Sequence, residues 1–543
     1  MLHRFLLLCT FPVITAIACA QATLVQMGEP FTKTLKGSSG DLFTVVDGIF
    51  AADGRHILFV EEGLTPKVVR LDAQLRPTEE LVLKDIVADG LKWTAVTPIV
   101  SGNSMRCLFV SSNKKESVFG VAAISTGGAL AVEAIRRLAT FELPYANDPS
   151  NTMVARPLPD PILFTRGLAY AQQERLVSSP DGKLHLLSHH SHKGKGNKRF
   201  AFACLDSDLR VQWEGAVELP FADNKSTIHQ IAVDDGGTIH VLTYLFQCKS
   251  EEQLGDKNCH ELHLSVISAQ GREARHVLLE KGFVSSARIL PRGDGRIAMA
   301  LRYGALTGLP GMIVQFDLKE PKLKPTPITA QRLPSIRKTK LMAFGDPAAD
   351  PRKPLPRTAK VANDIVALWA VPDGGLHVVE TFLDPMFQLQ MADAIAIRHL
   401  SGHVRMGHVG TNDSITWQRE SPRALLTTAG PQYHGTVAMR RPEGTWLFHG
   451  QTPKGYEAIL RAGSEGASGR GDAPAEPQVL RAALIDDSGK PVREGTALLM
   501  TDDFVPCPMG MLLEPDGMRA LVKLYDRGTG YRFALVDLAR LGE

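Results

Sequence analysis

The stretch SSPDGKLHLLSHHSHKGKGNKRFAFACLDSDL, Ser178 to Leu209, holds a turn, an alternating apolar run, three histidines and a second apolar run that ends in another polar turn. Pro180-Asp181-Gly182 has the composition of a tight hairpin, because Asp-Gly supplies a positive backbone φ at little cost. The run after it, Leu184 to Ser188, has strand length rather than helix length. The same arrangement returns along the chain. Asp53-Gly54, Asp235-Gly236, Asp294-Gly295, Asp373-Gly374 and Asp516-Gly517 repeat the pair, Pro442-Glu443-Gly444 is a close variant, and Ser101-Gly102-Asn103 is a degenerate one. A short apolar or β-branched run follows each, such as RHILFV, TIHVLTY, RIAMAL, LHVVE and RALVKL. A second strand pair usually comes next, as in KVVRLDAQLRPTEELVLK and RFAFACLDSDLRVQWEGAVELP. The unit is therefore strand, turn, strand, loop, strand, turn, strand, recurring at roughly 50 to 80 residues.

Four antiparallel strands per unit, repeated many times, predict an all-β chain folded as a β-propeller. The eight turns predict eight blades, with seven as the alternative. The last unit, GMLLEPDGMRALVKLY through YRFALVDLARL, lacks a fourth strand, and ATLVQMGEPFTKTL near the N-terminus is placed to supply it and to pair the exposed edges. No helical period of useful length emerges, and ALAVEAIRRLATFEL, the best helix candidate, sits where the unit requires strand. Residues 21–543 then form a single propeller domain with flexible insertions near 331–362 and 462–478.

Residues 1–20 have the form of an export signal. Arg4 precedes an apolar run from Phe5 to Ala18, and Ala18-Cys19-Ala20 suits cleavage before Gln21. The run is short for a membrane span and no later stretch is longer, so the expectation is a periplasmic or extracellular protein with no transmembrane segment. A lipid anchor at Cys19 is the minor alternative, weakened by Ala16 where a larger aliphatic residue is usual. Loss of Arg4 lowers the formal charge from +3 to +2. That balance argues against nucleic acid as a partner, which needs a concentrated positive footprint. Five of the seven cysteines remain after cleavage. Cys248 and Cys259 close the short polar segment CKSEEQLGDKNC and are expected to form a disulfide, whereas Cys107 and Cys204 lie in apolar runs and read as core.

SPDGKLHLLS followed by FACLDSDL resembles the WD40-like repeats with a Pro-Asp-Gly turn, found in exported bacterial propellers and in the propeller domains of some peptidases. The resemblance implies a fold and no catalytic residue. The peptidases add an α/β-hydrolase domain, but this sequence has no Gly-x-Ser-x-Gly elbow and no leftover segment for one.

Candidate chemistry is sparse. His189, His190 and His192 end a strand and enter a loop, with His190 and His192 on one side by alternation. Two imidazoles do not complete a metal site, and the cationic KGKGNK beside them opposes one, so no metal is expected there. Arg332, Arg337, Lys338 and Lys340 form a local cationic run that could meet an anion but more simply faces water. His185, His240 and His377 occupy equivalent places after their turns, and His56 is shifted by one. Recurrence of this kind points to hydrogen bonds with a neighbouring blade, the alternative being a shared ligand set at the axis. CHELH, Cys259 to His263, lacks the spacing of a helical zinc motif, and GRGD, Gly469 to Asp472, lies in a Gly/Ser/Ala/Pro-rich insertion whose composition explains it. No phosphate loop, dinucleotide fingerprint or calcium loop is present, so no cofactor is called for.

The long insertions are 143–167, 188–198, 247–260, 302–311, 331–362 and 381–391. In an up-and-down blade their connection types emerge on one face, where ligands are expected. The sequence therefore predicts an exported, noncatalytic binding or scaffold propeller for a protein, peptide or glycan. The rival is a glycan-acting hydrolase or lyase drawing residues from several blades. A quinone-dependent dehydrogenase is remote, because its repeated Trp motif is missing and there are only five Trp.

Overall fold

The turns set the register of the sheets, and an aspartate closes most of them. In the computed structural model Asp72 Oδ1 accepts the amides of Gln74 and Arg76, each at 2.9 Å. Asp206 Oδ1 accepts those of Asp208 and Arg210 at 2.9 and 2.8 Å, and Asp486 Oδ1 those of Ser488 and Lys490, both at 2.9 Å. Each turn ends on a residue with positive φ, Leu75, Leu209 or Gly489, which rejoins the ladder as a bulge. Leu75 and Leu209 take this strained conformation with side chains wholly buried, so apolar burial of about 1.5–3 kcal/mol outweighs a backbone cost of about 1–2 kcal/mol. The Pro-Asp-Gly turns work the same way: Asp181 Oδ1 accepts the Lys183 amide at 3.0 Å and Gly182 takes φ +70°. At Asp235-Gly236 the expected pair is shifted by one residue. Asp234 is the capping aspartate, and Gly237, at φ +83°, takes the left-handed position. Asp516 and Asp373 cap their turns as expected, while Asp53 and Asp294 lie outside the described residues and Gly54 and Gly295 show positive φ.

The structure describes residues 25–32, 43–50, 54–62, 65–143, 176–191, 195–246, 260–268, 274–281, 284–292, 295–303, 312–317, 326–327, 362–390, 394–411, 415–421, 423, 425–427, 435–451, 479–500, 504–526 and 530–542. Among them the strands form eight antiparallel sheets. The first holds Phe43–Phe50, His56–Glu62, Thr65–Leu71 and Pro77–Val82, and the second holds Ile86–Ala88, Leu91–Ser101, Ser104–Ser112, Ser117–Ser125, Ala131–Val132 and Arg136–Phe141. The third is Leu176–Ser178, Leu184–His190, Asn197–Asp206 and Val211–Ala222, and the fourth Ser226–Val233, Ile239–Phe246, His260–Ile267 and Ala274–Lys281. The fifth is Val284–Arg292, Arg296–Tyr303, Met312–Asp317 and Thr326–Pro327. The sixth is Ala362–Ala370, Leu376–Gln390, Ala394–Val409 and Ile415–Ser421, with Leu425–Thr427 added beside the third strand. The seventh is Thr436–Arg441, Gly444–Gln451, Val479–Ile485 and Pro491–Leu499. The eighth combines Phe504–Leu513, Arg519–Asp526 and Gly530–Asp537 with Val25–Met27 and Phe31–Thr32 from the start of the chain. Val25 lies opposite Val536 and Met27 opposite Ala534. Only two short 3-10 turns, Asp223–Lys225 and Leu538–Arg540, interrupt the all-β pattern among the described residues.

Successive sheets touch mainly through their first strands, which places those strands innermost around the axis of a β-propeller. The fourth strands lie outermost, and Pro77–Val82 and Ile415–Ser421 alternate between half-buried and exposed. Apolar clusters fill the spaces between sheets. Ile57 and Phe59 pack toward Trp93 and Phe109 of the second sheet, while Leu58 and Val60 pack toward Leu521 and Phe533 of the eighth. Side chains from the innermost strands also stitch neighbours together. Gln230 exchanges two hydrogen bonds with the backbone of Ile289 (2.7 and 3.0 Å), and Arg288 Nε donates to the Ile365 carbonyl at 3.2 Å.

The capping role has a direct consequence. Asp206→Ala is expected to cost about 1 kcal/mol, since two amides lose their acceptor, and to lower the thermal midpoint. Asp208→Ala, two residues further on in the same turn, is expected to leave the midpoint unchanged in the same melting experiment.

Candidate functional site

Hairpin topology makes the two ends of the sheets unequal. First-to-second and third-to-fourth connections leave at one end and are mostly short, as at Asp72–Arg76, Ser179–Lys183 and Asp486–Lys490. Second-to-third connections and the links to the next sheet leave at the other. There, 247–259 joins Ile239–Phe246 to His260–Ile267, and 452–478 joins Gly444–Gln451 to Val479–Ile485. Residues 142–175 lead to Leu176–Ser178, and 328–361 lead to Ala362–Ala370. This long-connection face is the candidate functional surface. Most of the long connections lie outside the described residues, and with them Arg332, Arg337, Lys338, Lys340, His192, Cys248 and Cys259.

The rim of this face is described at the third sheet. The stretch 188–198, expected as a long loop, begins and ends in strand: Ser188, His189 and His190 end one strand, while Asn197 and Lys198 begin the next. His189 pairs opposite Ala201 and His190 opposite Phe200, so the two rings face opposite sides. His189 lies 6.0 Å from the Phe119 ring of the second sheet. Ser191 closes the corner, donating its amide to the Arg199 carbonyl and accepting the Arg199 amide on Oγ, each at 2.8 Å. Lys198 is 1% exposed, ion-paired with the buried Asp223 and bonded to the Ser191 carbonyl at 3.1 Å. Its ammonium pins the rim and is not presented to a ligand. Among the described residues no group of three or more His, Cys, Asp and Glu side chains is placed to hold a metal ion.

The recurring histidines sit on second strands, one strand out from the axis, and two of them, His185 and His240, bond within their own sheets. His185 Nδ1 meets Ser178 Oγ at 2.9 Å, and His240 Nε2 lies 3.3 Å from Asp234 Oδ2 in its own turn. His377 is fully buried, with its ring edge-on to His408 (5.2 Å) and Trp417 (5.3 Å), and neither ring nitrogen has a hydrogen-bond partner. Trp417 Nε1 in turn donates to the Asp487 carbonyl of the seventh sheet at 3.0 Å, and Asp487 pairs with Arg440. Packing rather than ligation explains these residues.

Sequence reading missed the buried charges. Arg405 Nε and Nη2 reach Glu380 Oε2 at 3.1 and 2.9 Å on facing strands of the sixth sheet, beside a small cavity also lined by Val378, Gly407 and Gln418. The available signal was a charge inside an apolar run, Glu380 in LHVVETFL and Arg405 in HVRMGHV. Cys107 and Cys204 are wholly buried, and burial pushes the Cys204 thiol up to about 11, so neither is a reactive nucleophile.

No family model and no curated protein matches this sequence. Among solved structures the chain is similar to prolyl oligopeptidase B from Galerina marginata (TM-score 0.36, 11% identity), covering 90% of this chain and 56% of that one. It thus spans little more than half the length of that protein. It is also similar to a Synechocystis apocarotenoid oxygenase (TM-score 0.34, 10% identity, 95% and 93% covered). A protein of unknown function from Dyadobacter fermentans gives a TM-score of 0.29 at 12% identity, covering 67% and 93%. At such scores these likenesses carry no functional argument.

Burial is the main cause holding the His377 pKa down at about 4, with Asp487 and Asp373 opposing it and His408 and Arg440 adding to it. The unfolded ring titrates near 6.5, so stability is complete above that pH and falls as pH drops from about 6.5 to about 4. His377→Phe is expected to flatten this part of a thermal-midpoint profile between pH 7.5 and 4. An unchanged profile would show that His377 is not held neutral.

Proposed function

We propose that this protein is an exported, noncatalytic recognition or scaffold propeller that engages a protein, peptide or glycan through its long-connection face. The observation that carries the reading is the inequality of the two ends. Aspartate-capped turns consume the polar groups of one end, while 142–175, 247–259, 328–361 and 452–478 all emerge at the other. A rigid ring that spends its sequence length on one face is the usual platform for a binding surface. The residue pattern Phe5 to Ala20 supports export, and the capped Pro-Asp-Gly turns support kinship with WD40-like repeats.

The test uses residues 21–543 beside variants with 328–361 or 452–478 replaced by short Gly-Ser links, each checked for an unchanged far-UV spectrum. Binding to glycan and peptide arrays is measured. Capture by the intact chain and at least a tenfold loss in one shortened variant are expected. Equal capture by all three chains would overturn it, as would turnover of an array component by the intact chain.

A further inference from the structure

A row of polar side chains crosses the seventh sheet at one level. Thr436 pairs with His449, His449 with Arg481, and Arg481 with Thr496, so all four project from the same face. That face is the one that packs on the sixth sheet, because Leu447, Ala483 and Ile485 on it cluster with Val379, Val404 and Met406. From the sixth-sheet side, Thr381 lies 3.4 Å from Thr436 Oγ1, and Arg423 Nη1 donates to the same oxygen at 2.8 Å. The row is graded. Thr436 and His449 are buried on the two inner strands, Arg481 is half-buried, and Thr496 on the outermost strand is exposed.

His449 is the unusual member. It is 4% exposed, and neither ring nitrogen has a hydrogen-bond partner. An unsatisfied buried polar group costs about 1–3 kcal/mol, so a ring that any apolar side chain could replace calls for an explanation. Burial, with Arg423 and Arg481 adding to it, holds the imidazole pKa well below its ordinary value. Arg481 Nη1 bonds Thr496 Oγ1 at 3.2 Å, and among the described residues no carboxylate pairs with it.

We propose that this layer between the sixth and seventh sheets is an anion subsite that takes a carboxylate or phosphate group entering from the outer edge. Arg481 meets the anion first, as a planar donor suited to two oxygens. The ring N–H of His449 supplies a further donor at depth, and the Thr436 hydroxyl lies beside it on the same row. Occupancy satisfies the orphaned imidazole and offsets the charge of Arg423 and Arg481, which adds to burial in keeping it neutral. The row lies at the long-connection end of the sheet, with His449 and Arg481 each separated by two residues from 452–478, but a small anion held by these side chains needs no macromolecule on that face, so the anion titration and the array test can fail separately.

Inorganic phosphate and acetate are the probes, titrated into residues 21–543 by calorimetry and by thermal shift, with chloride at matched ionic strength as reference. The expected result is saturable binding of at least one probe and a raised melting midpoint. Binding should weaken at least tenfold in Arg481→Gln and in His449→Phe. His449→Phe keeps the buried ring without its nitrogens, so it carries the test if Arg481→Gln fails to fold. Phosphate binding without acetate binding would mark a phosphate site, and the reverse a carboxylate site. No saturable binding of either, or binding that survives both substitutions, would overturn the proposal.

Discussion

The middle strands of these sheets are apolar on both faces, and the architecture depends on that constraint. In the seventh sheet Trp446 and Phe448 enter the cluster shared with the eighth, while Leu447 between them enters the cluster shared with the sixth. In the third, Phe200 and Phe202 face the fourth sheet while Ala201 and Ala203 face the second. A sheet of this kind cannot end the structure, because its second face would stand in water at about 25 cal/mol for each Å² of apolar surface. Each sheet needs a neighbour on either side, and a row satisfies that for all members only by closing on itself. Closure is visible where Phe43, Val45 and Leu58 of the first sheet pack with Leu521, Tyr531 and Phe533 of the eighth.

With the sheets committed to packing, polar groups do local work. Aspartates cap turns and fix register, glutamine and arginine side chains stitch the inner strands, and the ion pairs Lys198–Asp223 and Glu380–Arg405 sit inside the wall. The pairs are desolvated, so removing one partner would strand the other. The polar side chains of the wall are thus spent on turns, on links between inner strands and on buried ion pairs.

The propeller was legible because its signals are local. Strand length, Asp-Gly turns and their recurrence can each be read within a few residues, and Asp181-Gly182, Asp373-Gly374 and Asp516-Gly517 occupy the turns as read. The shift at Asp234 was hidden because Asp234-Asp235-Gly236-Gly237 offers two equivalent frames, and only the backbone conformation selects one. The DAQLR and DSDLR turns were visible as polar breaks, but the left-handed leucines in them depend on burial that linear sequence does not display. Sites were the least legible. His449, Arg423 and Thr381 are far apart in the chain and meet only across two sheets, whereas the conspicuous His189-His190 pair is divided between opposite faces of one strand.

Val25–Met27 pairs with Gly530–Asp537, so the two ends of the described chain share one sheet, with Val25 directly opposite Val536. Directly opposed residues lie at a separation that a disulfide spans. The most direct measurement is oxidation of the Val25→Cys, Val536→Cys double variant, followed by non-reducing peptide mapping. An intrachain bridge between these positions is expected in the monomer, with a higher melting midpoint than in the reduced form. Two free thiols, or bridges only between molecules, would show that the two strands are not paired in this register.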